Sequence, residues 1–165
     1  MTQNIYRKII ALVKKAQYFA NQIGMPNILQ PGLVKEMIIA DILGHKLIST
    51  KRNADACDPN DPSIQYEYLS CKEGGSGQLD RMFKEPLAER IKSLDRIKRN
   101  KMIFYAIFYE KDQLKPKIIY AIKPEVLLKE TERQLDVSRN SISHCGFSNN
   151  WAAENGDVVY EDASA

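Results

Sequence analysis

The chain has 165 residues, a length that favours a single domain with a real hydrophobic core. It is 44% apolar and 27% charged, no apolar run reaches the length of a membrane span, and the first residues do not begin a signal peptide, so we expect neither a membrane protein nor a secreted one. The net charge of +3 identifies no partner by itself, and three cysteines without CxxC spacing favour a reducing cytoplasm over a zinc site or disulfide framework.

The first thirty residues are predicted to be helical. Apolar residues recur at helical spacing from Ile5 to Ile23, and Gly24 and Pro26 end the pattern. The apolar face of such a helix is most often core. At a chain terminus it could equally contact a second subunit, so residues 1–30 are a possible dimerisation element.

A second helix is predicted over Leu33–Leu43, with Gly44 and His45 at its C-terminal cap. Its apolar residues cover most directions around the axis, which indicates a largely buried helix. Glu36 and Asp41 on this helix would then need polar partners.

The most informative segment is an acidic turn that leads into a strand. After a short strand at Lys46–Thr50, Pro59–Pro62 predicts a tight reversal, and Ile64–Leu69 has strand-forming residues with Glu67 in its middle. The resulting hairpin would place Asp55 close to Glu67. Two such carboxylates repel unless they share a proton or a divalent cation. The segment therefore predicts a magnesium site.

Further elements complete the domain. Gly74–Gly77 is predicted to be a flexible loop, and residues 78–99 a helix broken near Pro86. Met102–Tyr109 is a continuous apolar run, typical of a central buried strand. The remaining predicted elements are a strand at Lys117–Ile122, a helix from Pro124 to about Arg133 and a strand at Val158–Tyr160, which follows a tail rich in Ser and Asn from Ser138 to Asn150. Helices with a mixed sheet indicate an α/β sandwich.

A basic segment lies between residues 81 and 101. Its acidic residues are Glu85, Glu89 and Asp95, and its basic residues are Arg81, Lys84, Arg90, Lys92, Arg96, Lys98, Arg99 and Lys101. Such a segment is either a solvated helix face or a surface that contacts phosphates, and the magnesium site predicted nearby favours the second interpretation.

The acidic hairpin and the strands around it resemble a known superfamily. The residues that carry the resemblance are Asn53–Asp58, Tyr66–Tyr68, Phe104–Tyr109 and Ile118–Pro124, with similar spacing back to Gly44. In this order they resemble the PD-(D/E)xK nuclease superfamily, and within it the type II restriction endonucleases. The resemblance covers roughly residues 33–124. It implies a restriction-endonuclease-like mixed β-sheet flanked by helices, an α/β fold.

The resemblance also implies a metal site and catalytic residues. Asp55 and Glu67 would bind Mg²⁺, with the backbone carbonyl of Tyr68 as a further ligand. The superfamily carries a lysine two residues after the glutamate, but this chain has Leu69 there. The groups that could stand in for that lysine are Lys72, Lys51 and Glu36.

DNA-contacting residues are expected on both sides of the basic segment. Ser76, Gln78 and Arg81 lie where the resembled enzymes carry base-reading residues, and a simple flexible loop is an alternative. Asn140, Ser141 and His144 could contact DNA from the tail, and Lys84 could contact phosphates.

These features together predict a homodimeric, Mg²⁺-dependent type II restriction endonuclease that cuts double-stranded DNA at a short site. Two-fold symmetry would place one active site on each strand. The alternatives are a structure-selective repair or recombination nuclease, and a non-catalytic DNA-binding protein that has the fold without the lysine.

Overall fold

The structure, a computed structural model, describes residues 2–49 and 54–164. The chain forms two compact units, residues 1–34 and residues 35–165. The first unit contains the predicted helix, α1 (Thr2–Gln22). The chain leaves this helix at Gly24, whose φ of +76° suits glycine, and the amide of Met25 donates to the carbonyl of Ala20.

The second unit is built on strands that form two sheets. The strands are β1 (Lys46–Leu47), β2 (Ala56–Cys57), β3 (Gln65–Lys72), β4 (Ser76–Phe83), β5 (Met102–Phe108), β6 (Pro116–Ile122), β7 (Ile142–Ser148) and β8 (Asp157–Glu161). The larger sheet has the order β1-β2-β3-β5-β6-β8, and β4 pairs with β7 in a separate ribbon. In the larger sheet, β3 and β5 run parallel and the other neighbours run antiparallel.

Helices flank the larger sheet. They are α2 (Leu33–Leu43), α3 (Leu87–Lys98), α4 (Pro124–Val137) and α5 (Asn149–Asn155). The fold is therefore mixed α/β, with a mostly antiparallel sheet flanked by helices. No helix in the described residues is both long and apolar enough to cross a membrane.

The predicted central strand, β5, is buried on both faces, as its continuous apolar run indicated. Ile103, Tyr105 and Ile107 pack in one core cluster with residues of α3, α4, β4 and β7. The alternate residues, such as Phe104, pack in a second cluster with Ile39 of α2. The two faces of one strand thus join helices on both sides of the sheet.

The predicted flexible loop at Gly74–Gly77 is mostly structured. Glu73 and Gly74 form a turn that the Gly75 N–H closes by donating to the Lys72 carbonyl, whereas Gly77 lies in β4 against the ring of Tyr105. A Cβ atom at Gly77 would lie 2.7 Å from that ring, so glycine is required for this close approach. The Tyr105 hydroxyl accepts the Gly77 N–H at 3.0 Å and donates to the Phe147 carbonyl at 2.7 Å. These two hydrogen bonds of Tyr105 connect the ribbon of β4 and β7 to the larger sheet.

One other prediction of local structure was wrong. Residues 78–83 belong to strand β4 and not to a helix, which begins only after Pro86. The tail rich in Ser and Asn contains β7 and the start of α5. Each strand of the ribbon is stabilised by the other and not by a strong local pattern, which is why the sequence did not indicate β4.

Candidate functional site

The acidic hairpin brings Asp55 and Glu67 together, as predicted. Ala56 pairs with Tyr66, and Cys57 with Gln65, so Asp55 lies next in register to Glu67. The backbone N–H of Tyr68 donates to Asp55 Oδ2 at 2.8 Å, which fixes the orientation of that carboxylate. Asp58 Oδ1 accepts the N–H groups of Asn60 and Asp61 in the predicted reversal.

Glu67 is half-buried in a largely apolar pocket. Arg96 is the other charged side chain of that pocket, whose remaining lining residues are Leu79, Met82, Ile97, Ile103 and Leu127. Burial raises the pKa of the Glu67 carboxyl, and the Asp55 carboxylate raises it further. Burial also raises the pKa of Asp55, although the N–H of Tyr68 acts against that shift.

Glu36 adds a third acidic group from helix α2. Burial, followed by repulsion from Asp55, raises the pKa of Glu36 from 4.5 to about 7. The Glu36 carboxylate also raises the pKa of Glu67, as the smallest of its several causes. The Asp55 carboxylate therefore raises the pKa of two glutamates, one on α2 and one on β3. Carboxyl groups with such raised pKa values are typical of functional sites.

Tyr68 contributes its backbone and its ring in different ways. Its N–H faces the β2 edge, where it meets Asp55, and in a strand the carbonyl of the same residue points to the same edge. Its hydroxyl lies 2.8 Å from His45 Nδ1, and the two rings are stacked. The ring is therefore anchored, while the carbonyl lies on the side of the carboxylates.

These groups suit a magnesium ion in their chemistry. Within residues 2–49 and 54–164, no three His, Cys, Asp or Glu side chains are grouped as around a metal ion. Magnesium nevertheless needs only one or two carboxylates, since it keeps several waters and takes substrate phosphates as ligands. Asp55, Glu67 and the carbonyl of Tyr68 provide oxygen donors. After burial, repulsion from Asp55 is what raises the pKa of Glu67, and a divalent cation would relieve that repulsion.

The structure does not bring Lys72 to these carboxylates. Lys72 ends β3 opposite Phe108, five residues and about 16 Å along the strand from Glu67. Its ammonium group is exposed and pairs with Glu110 at 2.9 Å. Leu69, at the position of the expected lysine, is 3% exposed within the core. Lys51 lies outside the described residues.

Two arginines near the carboxylates were not singled out by the sequence. Arg96 and Arg99, on and just after helix α3, act electrostatically on both Asp55 and Glu67 and favour their charged forms. Arg96 also donates to the Asp80 carbonyl at 3.2 Å. Both residues belong to the basic segment, but nothing in the local sequence shows which of its cations face the acidic pair.

The predicted DNA-contacting residues of strand β4 lie on the ribbon. Ser76, Gln78 and Arg81 are exposed, whereas Leu79 and Met82 face the core. The ribbon therefore presents polar side chains outward along β4. Lys84 follows the strand, and its ammonium group donates to carbonyls at the end of α4. Lys84 is thus engaged within the protein.

The predicted residues of the tail lie on the partner strand or just before it. His144 is exposed on β7, and its Nδ1 lies 2.8 Å from Asp80 Oδ1. Asn140 and Ser141 precede the strand at the far end of the ribbon, where the Ser141 carbonyl accepts the Lys84 N–H at 2.7 Å. The structure thus unites the two predicted groups of DNA contacts on one ribbon.

Comparison with known proteins adds no relative: no family model matches the chain, and no curated protein matches it.

Proposed function

We propose that this protein is a magnesium-dependent type II restriction endonuclease that cuts double-stranded DNA at a short specific site. The proposal includes the restriction-endonuclease-like fold, a cytoplasmic location and a homodimeric state. The observation that carries it is the placement of Asp55 beside Glu67 where β2 begins against β3, with Glu36 in electrostatic contact with both. Three buried cysteines without disulfides are in keeping with a reducing compartment.

In this proposal Asp55, Glu67 and the Tyr68 carbonyl hold Mg²⁺. The bound ion would supply Lewis acidity toward the scissile phosphate and a water of lowered pKa. Glu36, whose pKa of about 7 suits proton transfer near neutrality, would accept a proton from the attacking water at its carboxylate. Arg96 would provide the positive charge that Leu69 cannot provide at the position of the expected lysine.

The ribbon is the proposed recognition element. A two-stranded β-ribbon fits the major groove of B-DNA, where Gln can pair with adenine. Ser76, Gln78 and His144 point outward from the ribbon and could contact base edges. The proximity of Leu79 and Met82, on the inner face of the same ribbon, to Glu67 would place recognition and cleavage side by side.

A second candidate function is a non-catalytic DNA-binding protein. The observation in its favour concerns the part of β3 that the structure describes: Leu69 occupies the position of the expected lysine beside Glu67, and Lys72 pairs with Glu110. A structure-selective nuclease is the remaining alternative. Plasmid digestion separates the three functions.

The test uses supercoiled plasmids of known sequence with Mg²⁺, and with Mn²⁺ in parallel. Discrete fragments that map to one short sequence support the proposed enzyme. Cutting confined to cruciforms, flaps or nicks indicates a structure-selective nuclease, and binding without cutting indicates a DNA-binding protein. Glu67→Gln protein, purified in the same way, controls for contaminating nucleases.

The dimer is proposed to form through α1. Ile5, Ile9, Leu12, Ala16 and Phe19 alternate at spacings of four and three residues, the repeat of a helix that packs against another helix. Ile5, Ile9, Leu12 and Phe19 are all more than half exposed. Sedimentation velocity should show a dimer, and Leu12→Glu should convert it to a monomer. Monomers alone, with and without a DNA duplex, would contradict this part of the proposal.

A further inference from the structure

An open groove of about 260 Å³ lies between strand β4 and helix α3. Its lining residues are Arg81, Phe83, Glu89, Lys92, Ser93 and Arg96. Three of these side chains are cationic and one is anionic. Lys92 pairs with Glu89 at 2.6 Å, and the two charges offset each other. The net positive charge of the groove therefore comes from Arg81 and Arg96. The groove therefore suits an anion.

Arg81 is held at the groove by an unusual backbone. A β-bulge sets Asp80 and Arg81 opposite the single residue His144, between the pairs Leu79–Cys145 and Met82–Ser143. The φ of Arg81 is +54°, and no other non-glycine residue in the described ranges has a positive φ. Glycine normally occupies this position in a bulge, because a side chain there is strained. Such strain is typical of residues retained for function.

Arg96 joins the groove to the acidic site. Its side chain is half-buried and lines both this groove and the narrow pocket that contains Glu67. One of its guanidinium nitrogens donates to the Asp80 carbonyl in the bulge, so the bulge that positions Arg81 also positions Arg96. A group bound between the two arginines would lie beside the proposed cleavage site.

The structure separates these cations from others of the basic segment. Arg90 pairs with Asp136 at 2.7 Å, and Lys98 pairs with Asp95 at 3.2 Å. Lys84 donates to backbone carbonyls at the end of α4. None of these three lines the groove. The sequence alone does not distinguish among the eight basic residues as phosphate ligands, whereas the geometry favours Arg81 and Arg96.

We propose that the groove between β4 and α3 binds a backbone phosphate of a DNA strand, with the guanidinium groups of Arg81 and Arg96 as its ligands. The inference rests on the proposed function only in taking DNA as the polyanion. Guanidinium donors match phosphate oxygens in geometry and charge. Arg81 then positions the strand and does not read a base, while Gln78 and His144 remain the candidates for base contacts.

The test measures duplex binding by fluorescence anisotropy in EDTA, over a series of salt concentrations, so that cleavage plays no part. Arg81→Ala and Arg96→Gln should each weaken binding about tenfold near 0.1 M salt and reduce the slope of log affinity against log salt by about one. Lys98→Gln is the matched control and should do neither. Unchanged affinity and slope in both arginine variants would overturn the inference.

A second variant of Arg81 separates binding from folding. Arg81→Gly should lose binding as Arg81→Ala does, yet melt about 3 °C higher than the alanine variant, because glycine removes the strain at positive φ. An Arg81→Gly protein that binds like the parent would contradict the phosphate role. Loss of binding that tracks loss of melting temperature would show a merely structural role and also overturn it.

The outcome is independent of nuclease activity. If the protein binds DNA with these dependences but never cuts it, the phosphate site is supported and the proposed nuclease function is contradicted. If it cuts DNA while both arginine variants bind normally, the nuclease function is supported and the phosphate site is contradicted. Calorimetry with inorganic phosphate tests whether the groove binds free phosphate instead of a DNA phosphate. Saturable binding of inorganic phosphate by a protein that binds no duplex would contradict the inference.

Discussion

The two ends of strand β3 differ in the burial and pairing of their charged side chains. Near its start, Glu67 is half-buried beside Asp55, and both carboxyl groups have raised pKa values. At its end, Lys72 is exposed and paired with Glu110 at 2.9 Å. Exposed pairs contribute little to stability, whereas buried like charges are costly. Two costly carboxylates kept together at one end are in keeping with the proposed metal site, and the other end shows ordinary surface charge.

The largest expected effect concerns the buried end. Asp55→Asn and Glu67→Gln should each reduce plasmid cleavage by at least about a thousandfold, because each removes an oxygen ligand and its charge. Duplex binding in EDTA should remain within about threefold of the parent, since neither change alters shape and neither residue is a phosphate ligand. Full cleavage by either variant would move the site elsewhere.

The second prediction compares cations at the two ends. At saturating DNA, Arg96→Gln should slow cleavage about a hundredfold, as expected when a positioned charged group is lost near the reacting phosphate. Lys72→Ala should stay within about twofold, because its partner is a surface carboxylate. The reverse order of the two rates would make Lys72 the stand-in for the missing lysine and remove Arg96 from that role.

The third prediction concerns pH. Burial, followed by repulsion from Asp55, raises the pKa of Glu36 from its ordinary value of 4.5 to about 7 in the folded protein. The folded state therefore holds this proton more tightly than the unfolded chain does. The resulting stability is fully present below pH 4.5 and is lost as the pH rises through 7. In EDTA, the melting temperature of the parent should fall by roughly 5 °C more than that of Glu36→Gln over this window.

The pKa values of Asp55 and Glu67 are raised as well, so these two groups should lower the melting temperature of both proteins as the pH rises. Thermal melts of the two proteins at matched ionic strength provide the measurement. Parallel curves across the window would show that Glu36 is not the buried acid described here.

The smallest effect is expected at the exposed end. Glu110→Gln removes the partner of Lys72 and should leave the free energy of unfolding nearly unchanged, as for other exposed ion pairs. The urea denaturation midpoint measures this change. A clear fall of the midpoint would mean that the two ends of β3 are less different than their exposure indicates.

Local sequence determined much of the fold. Periodicity and the stop at Gly24 predicted α1, the cap at Gly44 and His45 predicted α2, and the apolar run predicted β5. The reversal at Pro59–Pro62 predicted the hairpin that joins Asp55 to Glu67. These features were predictable because each depends on contacts between residues close in sequence or on one pattern repeated along a single element.

Tertiary structure decided the ribbon, and the bulge explains why. Leu79 and Met82 are three residues apart, which is a helical spacing, and both face the core. In a regular strand they would face opposite sides, but the extra residue in the bulge returns Met82 to the inner face. The bulge thus gave a strand the apolar pattern of a helix, and only pairing with β7 distinguishes the two.

The same holds for the cations of the site. Arg96 lies 29 positions after Glu67 in the sequence, within a segment of eight basic residues that look alike. Its place in the Glu67 pocket follows from the packing of α3 beside β4. The sequence by itself determined that two carboxylates meet in a hairpin, because a turn joins them; which positive charge faces them depended on helix packing, which no local pattern specifies.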